Sequence, residues 1–321
     1  MRQSSIPALI FVFALVLFLL AGCAPKSESG APKNVSQDNP FKVVATTSMI
    51  ADLVRIVGDE YVDVEGLMGP GVDPHLYKAS EGDVSAMTRA DLVFYNGLHL
   101  EGKMVDIFEQ MSHLGREVHA VSEGLAEERL RESSYFAGNY DPHIWFDVNL
   151  WIHATQVISE VLSTQDPAHA QEYDARRIEY TSQLMDLDKW VSSEVSRIPT
   201  NMKVLVTSHD AFGYFGRAYG MDVKGLQGLS TATEAGTADV QELARFVAEN
   251  KIPSMFVESS ISPRGIEAVR EAVRARGFEV LIGGTLYGDA LGSPGSGADN
   301  YIGMVHANVE TIVNGLTTKS E

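Results

Sequence analysis

The tripeptide Asp-Pro-His occurs twice, as Asp73-Pro74-His75 and as Asp141-Pro142-His143. In each, the fixed φ of proline stiffens the backbone just before an imidazole, which limits the entropy lost when that ring is held on a ligand. A lone loop histidine is ordinarily a solvated or capping residue. Two in the same rigid context are candidate metal donors. A third candidate, His209, follows the apolar run Val204-Leu205-Val206-Thr207-Ser208 and precedes Ala211-Phe212-Gly213-Tyr214. A strand-to-helix turn there puts it at the carboxyl end of a parallel strand, where open α/β sheets build their sites; an N-cap is the other reading. The fourth, Asp289, lies in Gly283-Gly284-Thr285-Leu286-Tyr287-Gly288-Asp289-Ala290. That run reads as a flexible loop beyond the last strand, where an aspartate is more often a turn former.

Other residues invite the same attention and earn less of it. Asp73 and Asp141 read as turn formers that proline directs away from the imidazole that follows. Glu258 ends an apolar run and either hydrogen-bonds a ligand imidazole or caps a strand. His113, His119, His153, His169 and His306 have no partner at ligand spacing. The run Gly292-Ser293-Pro294-Gly295-Ser296-Gly297 lacks the strand-to-helix passage and the lysine of a phosphate loop, so it reads as an ordinary loop.

The elements that must hold these residues alternate β-rich and helical runs. Strands are expected at Lys42–Thr47, Tyr61–Met68, Asp91–Asn96 and Glu117–Val121, with helices at Met49–Val57, Glu81–Ala90, Gly102–Leu114 and Val148–Ser163. Strands separated by helices imply βαβ units and parallel sheets. The segment from about 125 to 140 has no period and reads as an exposed loop. The second half repeats the order, with strands at Lys203–Thr207, Asp222–Leu226, Ser254–Glu258 and Glu279–Ile282 and helices at 211–219, 238–250, 263–276 and 299–316. Between the halves, Asp166-Pro167 supplies an N-cap and a first-turn proline, and Ile198-Pro199 a stop. Tyr173, Tyr180, Leu184, Leu187, Val191, Val195 and Ile198 form one apolar stripe at helical spacing. A helix over that whole span is a rod of about 48 Å, long enough to run along both halves. The fold class is therefore α/β: two lobes, each a mainly parallel sheet flanked by helices, joined by one long helix. The expected division is an N-terminal lobe over 41–165, the spanning helix over 166–198 and a C-terminal lobe over 199–321.

Ahead of the lobes stands a targeting segment. Arg2 and the apolar run Ala8–Leu20 lead to Leu20-Ala21-Gly22-Cys23, which resembles a bacterial lipobox. Residues 1–22 read as a lipoprotein signal peptide and Cys23 as the lipidated residue. Cys23 is the single cysteine, so no internal disulfide is available and the fold rests on its core. Residues 23–40, rich in Pro, Ser, Gly and charge, read as a flexible tether with a reach of roughly 20–25 Å. Removing Arg2 with the signal leaves 24 basic against 43 acidic side chains, a net charge of −19. Such a surface repels phosphate backbones and argues against nucleic acid as a partner.

The runs Gly71–Tyr77, Tyr95–Glu101, Asp141–Asp147, Ser208–Phe215 and Phe256–Ile261, in that order over about 42–316, resemble the zinc/manganese-binding receptors of bacterial ABC importers. The resemblance implies a metal in the cleft between the lobes, with His75 and His143 from the first and His209 and Asp289 from the second. It implies one transported Zn2+ or Mn2+, a permease and its ATPase as partners, a monomer, and a lipid anchor at the outer face of a bacterial membrane. His99, within the resembling runs, is expected to be structural or to support a ligand. The stretch 123–140 lacks the histidine-rich loop of some zinc-specific members, and His209 stands where manganese-specific members carry Glu. The site therefore resembles the three-His, one-Asp branch that accepts both metals. Three imidazoles and one carboxylate suit zinc at about 2.0–2.2 Å, while a two-oxygen Asp289 would admit manganese. Binding is expected to fade as pH falls below the histidine range, near about 6. A zinc hydrolase and a surface adhesin are the rival classes. The chain has no His-Glu-x-x-His motif, and four protein donors would leave a catalytic zinc no open position.

Overall fold

A computed structural model describes residues 34–132 and 139–317. The expected signal peptide, Cys23 and the expected tether up to residue 33 lie outside the described residues. The tether's expected end at residue 40 is corrected: Val35 is 5% exposed and packs into the main core, and Ser36 and Asn39 bridge each other. One apolar side chain in a polar stretch is enough to dock the segment once a core is there to receive it.

In the first lobe, β1 (Phe41–Ala45), β2 (Val62–Gly66), β3 (Leu92–Tyr95) and β4 (Glu117–Ala120) form one parallel sheet in the order β2-β1-β3-β4. Crossovers run through α1 (Ser48–Gly58), α2 (Glu81–Arg89) and α3 (Val105–His113). The apolar runs of β1 and β3 bury almost completely, as strands covered on both faces must. After β4 a long connection reaches α4 (Val148–Gln165).

The rod between the halves starts later than its sequence suggests. Pro167–His169 make a 3-10 turn, and α5 runs from Ala170 to Ser196. The Asp166 side chain does not cap it, because that carboxylate is taken by His169 Nδ1 at 2.6 Å and the Tyr173 hydroxyl at 2.9 Å. Twenty-seven residues give a rod of about 40 Å. The whole stripe from Tyr173 to Ile198 is buried.

In the second lobe, α6 (Gly213–Tyr219), α7 (Thr237–Asn250) and α8 (Arg264–Arg274) alternate with β5 (Val204–His209), β6 (Asp222–Gln227), β7 (Ser254–Glu258) and β8 (Leu281–Leu286), and α9 (Tyr301–Thr317) closes the chain. Hydrogen bonding groups these strands as two parallel pairs, β5-β6 and β7-β8, with β5 lying beside β7. The last strand is displaced from its expected place, Glu279–Ile282, and includes Gly283 and Gly284. A register shift at Met255/Phe256 absorbs the irregularity. Both glycines are needed there: a side chain on Gly283 would meet the Phe256 ring, and Gly284, at φ 146°, would meet Thr311.

One apolar cluster runs through both lobes, from Phe41, Leu53 and Trp151 through Leu184 of α5 to Tyr214, Phe256 and Tyr301. Smaller clusters fill the far side of each sheet, around Met87 and Phe108 in the first and Val247 and Val269 in the second. The lobes thus share a core along α5, which does more than link them. Among the described residues no helix is long and apolar enough to cross a membrane.

Candidate metal centre

The four candidate donors all follow the carboxyl ends of parallel strands. His75 lies in the connection from β2 to α2, His143 in the turn that ends the passage from β4, His209 is the last residue of β5, and Asp289 is three residues beyond β8. The structure brings them together: one ligand atom from each lies within 4.8 Å of the others. All are buried, at 4%, 0%, 0% and 1% exposure respectively. Nε2 of His75 lies 3.2 Å from Nε2 of His143. Oδ1 of Asp289 lies 3.4 Å from Nε2 of His209 and 3.7 Å from Nε2 of His143. Donors about 2.0–2.1 Å from a tetrahedral ion stand about 3.3 Å apart along each edge. The observed edges are already close to that value.

The two Asp-Pro-His runs fold alike for a reason local to each. Asp73 Oδ1 accepts from the His75 amide at 2.9 Å, and Asp141 Oδ1 accepts from the His143 amide at 3.0 Å. These are Asx turns that set the backbone of the ligand residue. The expectation that proline turns both aspartates away from the imidazole is corrected at Asp141, whose Oδ1 also lies 2.7 Å from Nδ1 of His143. A carboxylate behind a ligand imidazole fixes its tautomer and orientation and raises its basicity. Asp73 turns its other oxygen to the second lobe instead, accepting from the Thr231 hydroxyl at 2.6 Å.

Glu258 supports His209 in the same manner. Its Oε1 accepts from the His209 amide at 2.9 Å and its Oε2 lies 2.8 Å from Nδ1 of the ring. Gly288 must be glycine for this arrangement, since a Cβ there would fall on the Glu258 carboxylate. Asp289 is held from both lobes: Ser260 Oγ of the second donates to its Oδ2 at 3.4 Å, and the first lobe holds the backbone around it. The Trp145 indole donates to the Gly288 carbonyl at 2.9 Å, Ser48 Oγ accepts from the Leu291 amide at 2.9 Å, and Asp52 accepts from the Tyr301 amide at 2.9 Å. Nothing local in the sequence announces these bonds, which span 143, 243 and 249 residues.

Burial and the neighbouring carboxylates separate the donors electrostatically. Burial pushes His75 down to about 3, against the pull of Asp289, so its ring stays neutral. Burial also disfavours charge on His209, but the carboxylates of Glu258 and Asp289 outweigh it and hold its pKa well above the ordinary value. Asp289 is kept below the carboxylate range: burial opposes its charge, and His209, His75 and His143 more than compensate. Those carboxylates favour a proton on His209. A cation needs that nitrogen's lone pair, so it competes with the proton. Zinc binding at pH 7 is expected to release protons, and affinity to fall as pH falls. Calorimetry in buffers of different ionisation enthalpy measures this; zero release at pH 7 contradicts it.

The remaining histidines have other occupations. His119 pairs with Glu117 at 3.1 Å, His153 with the Glu123 carbonyl at 2.7 Å, His169 with Asp166, and His306 lies against the Trp190 ring. His113 is exposed at the end of α3. His99 does not support a ligand: it is exposed, at φ 63°, beside a cavity of about 500 Å³ that contains none of the four donors. The Gly292–Gly297 loop closes on itself through Gly292 N to Ala298 O and Gly295 N to Asp299.

Two parallel-sheet lobes with four buried donors converging between them have the make-up of a receptor that could enclose a metal ion. Residues 43–315 match the family described as zinc-uptake complex component A, periplasmic, and the chain belongs to that family. It is 48% identical over 285 residues to the zinc-binding protein TroA of Treponema pallidum, covering 88% of this chain and 91% of that protein. The solved structure of TroA superposes with a TM-score of 0.84 at 47% identity, over 87% of this chain and 100% of the other. The manganese-binding lipoprotein MntA of Bacillus subtilis is 44% identical over 316 residues, 98% of this chain and 100% of its own. The manganese ABC transporter substrate-binding lipoprotein PsaA of Streptococcus mitis is 31% identical over 314 residues, 96% and 97% of the two chains.

Proposed function

We propose that this chain captures one Zn2+ or Mn2+ through Nε2 of His75, His143 and His209 and the carboxylate of Asp289, and hands it to the permease of an ABC importer driven by its ATPase. It is a binding component rather than an enzyme. The observation that supports the ligand assignment is the spacing of the four donors, three of whose separations, 3.2, 3.4 and 3.7 Å, are near the edges of a tetrahedral site. The metals follow from the donors and from the relatives, one named for zinc and others for manganese. Zinc is expected to bind more tightly, in line with the Irving–Williams order. Cys23 carries the lipid that keeps this monomer at the outer face of a bacterial membrane, on a tether that ends where Val35 enters the core.

Metal analysis of the purified soluble chain, beginning at Asn34, tests this reading. The expected result is one zinc per chain, with manganese accepted when zinc is withheld. Two ions per chain, or none retained after desalting, would sink it.

A further inference from the structure

Among the described residues, the cavities, the exposed apolar side chains and the other titratable clusters offer nothing that points to a second ligand. One cation beside the metal centre does offer more. Arg131 lies in the aperiodic segment before His143, and its guanidinium ion-pairs with Oδ2 of Asp141, the carboxylate whose other oxygen holds His143 Nδ1. Asp141 is fully buried. Arg131 is held at its backbone: its carbonyl accepts from the Asp141 amide at 2.8 Å, and its amide donates to the Tyr214 hydroxyl at 3.1 Å. That hydroxyl in turn donates to the Asp141 carbonyl at 2.8 Å.

The guanidinium also reaches the second lobe. It occupies the space over Gly213, where a Cβ would fall directly on it, and lies 5.9 Å from the centre of the Tyr214 ring. A single cation thus touches both lobes, at Asp141 and at Gly213. A buried carboxylate needs all its oxygens satisfied to keep one orientation. With Oδ2 taken by Arg131, Oδ1 is left to His143 alone.

Resting on the ligand set proposed above, we infer that Arg131 is a positioning residue for the metal: through Asp141 it fixes the His143 ring, so that Nε2 faces the ion. Without it, Asp141 loses its only charged partner on that side and the imidazole is free to rotate about its Cβ–Cγ bond. Outer partners of metal ligands are worth about 10–100-fold in affinity, and Arg131 acts one bond further out, so about tenfold is expected.

The test compares Arg131→Met, Arg131→Lys and Gly213→Ala with the parent, by zinc competition titration and by the visible spectrum of the Co2+-loaded protein. Arg131→Met keeps the length of the stem and removes the fork. Gly213→Ala leaves Arg131 in the chain and displaces its guanidinium, so it decides the matter if Arg131→Met does not fold. The expected result is about a tenfold loss of zinc affinity and a shifted Co2+ spectrum in both, with partial recovery in Arg131→Lys. Parent-like affinity and an unchanged spectrum in Gly213→Ala and Arg131→Met, even with a lowered melting temperature, would overturn the inference. His143→Ala separates the two claims. If it still binds zinc like the parent, the ligand assignment fails; if it loses zinc while Arg131→Met does not, only the role of Arg131 fails.

Discussion

Saturating zinc is expected to raise the unfolding free energy of the protein by about 4 kcal/mol at a thousandfold excess over the dissociation constant, and Asp289→Asn to lose most of that gain. On the proposed ligand set the ion needs four donors from distant parts of the chain, which meet in the folded state alone. Asparagine keeps the volume of Asp289 and its place between Gly288 and Ala290, but supplies no anionic oxygen. The metal-free variant will also be less stable than the metal-free parent. The folded-state pKa of Asp289 is depressed, so its charge contributes stability above the ordinary carboxylate range, and that contribution is fully present at pH 7. The informative quantity is therefore the difference between zinc-loaded and zinc-free unfolding, measured in each protein by denaturant titration. An Asp289→Asn protein with the parent's zinc-dependent gain would remove Asp289 from the ligands.

The second large effect concerns metal choice. His209→Glu is expected to shrink the zinc-to-manganese affinity ratio by ten- to a hundredfold, about 1.4–2.8 kcal/mol, without inverting it. A hard oxygen donor favours manganese, while zinc loses an imidazole. The structure adds a consequence that the ligand chemistry alone does not contain. Glu258 Oε2 stands 2.8 Å from the ring that would be replaced, and Asp289 is 3.4 Å from its other nitrogen. A new carboxylate there joins two others in a fully buried space, and like charges so placed retain a proton between them. Both metals must then displace that proton, so both absolute affinities fall at neutral pH. Adding Glu258→Gln should restore absolute affinity while the ratio stays shifted. Competition against a chelator of known affinity gives all four values. An unchanged ratio in both variants would exclude His209 from the first coordination sphere.

The fold was legible wherever a run of apolar residues had a single explanation. The buried strands β1, β3, β5 and β7 and the stripe of α5 declare themselves through period and β-branching. The last strand did not, because Gly283 and Gly284 look like a loop and their place in β8 depends on the close approach of Phe256 and Thr311. The histidine donors were legible through proline and through the end of β5. Asp289 was not legible from its own neighbourhood, since its burial depends on Trp145, Ser48 and Asp52, all far away in the chain. Only the resemblance pointed to it. Arg131 gave no signal at all: a single arginine in an aperiodic stretch is ordinarily a solvated side chain. Its tie to Asp141 depends on the Arg131–Asp141 backbone bond that folds the stretch back on itself.

The anchoring of Asp289 changes how the molecule should be counted as a machine. By chain order the donors divide two and two between the lobes. By fastening, Asp289 belongs to both: its segment is bolted to the first lobe at Gly288, Leu291 and Tyr301, while its own Oδ2 accepts from Ser260 Oγ of the second lobe at 3.4 Å. Asp289 is thus a rivet through both halves rather than a side chain lent by one, and the sheet ends on either side of it are stitched at a single point.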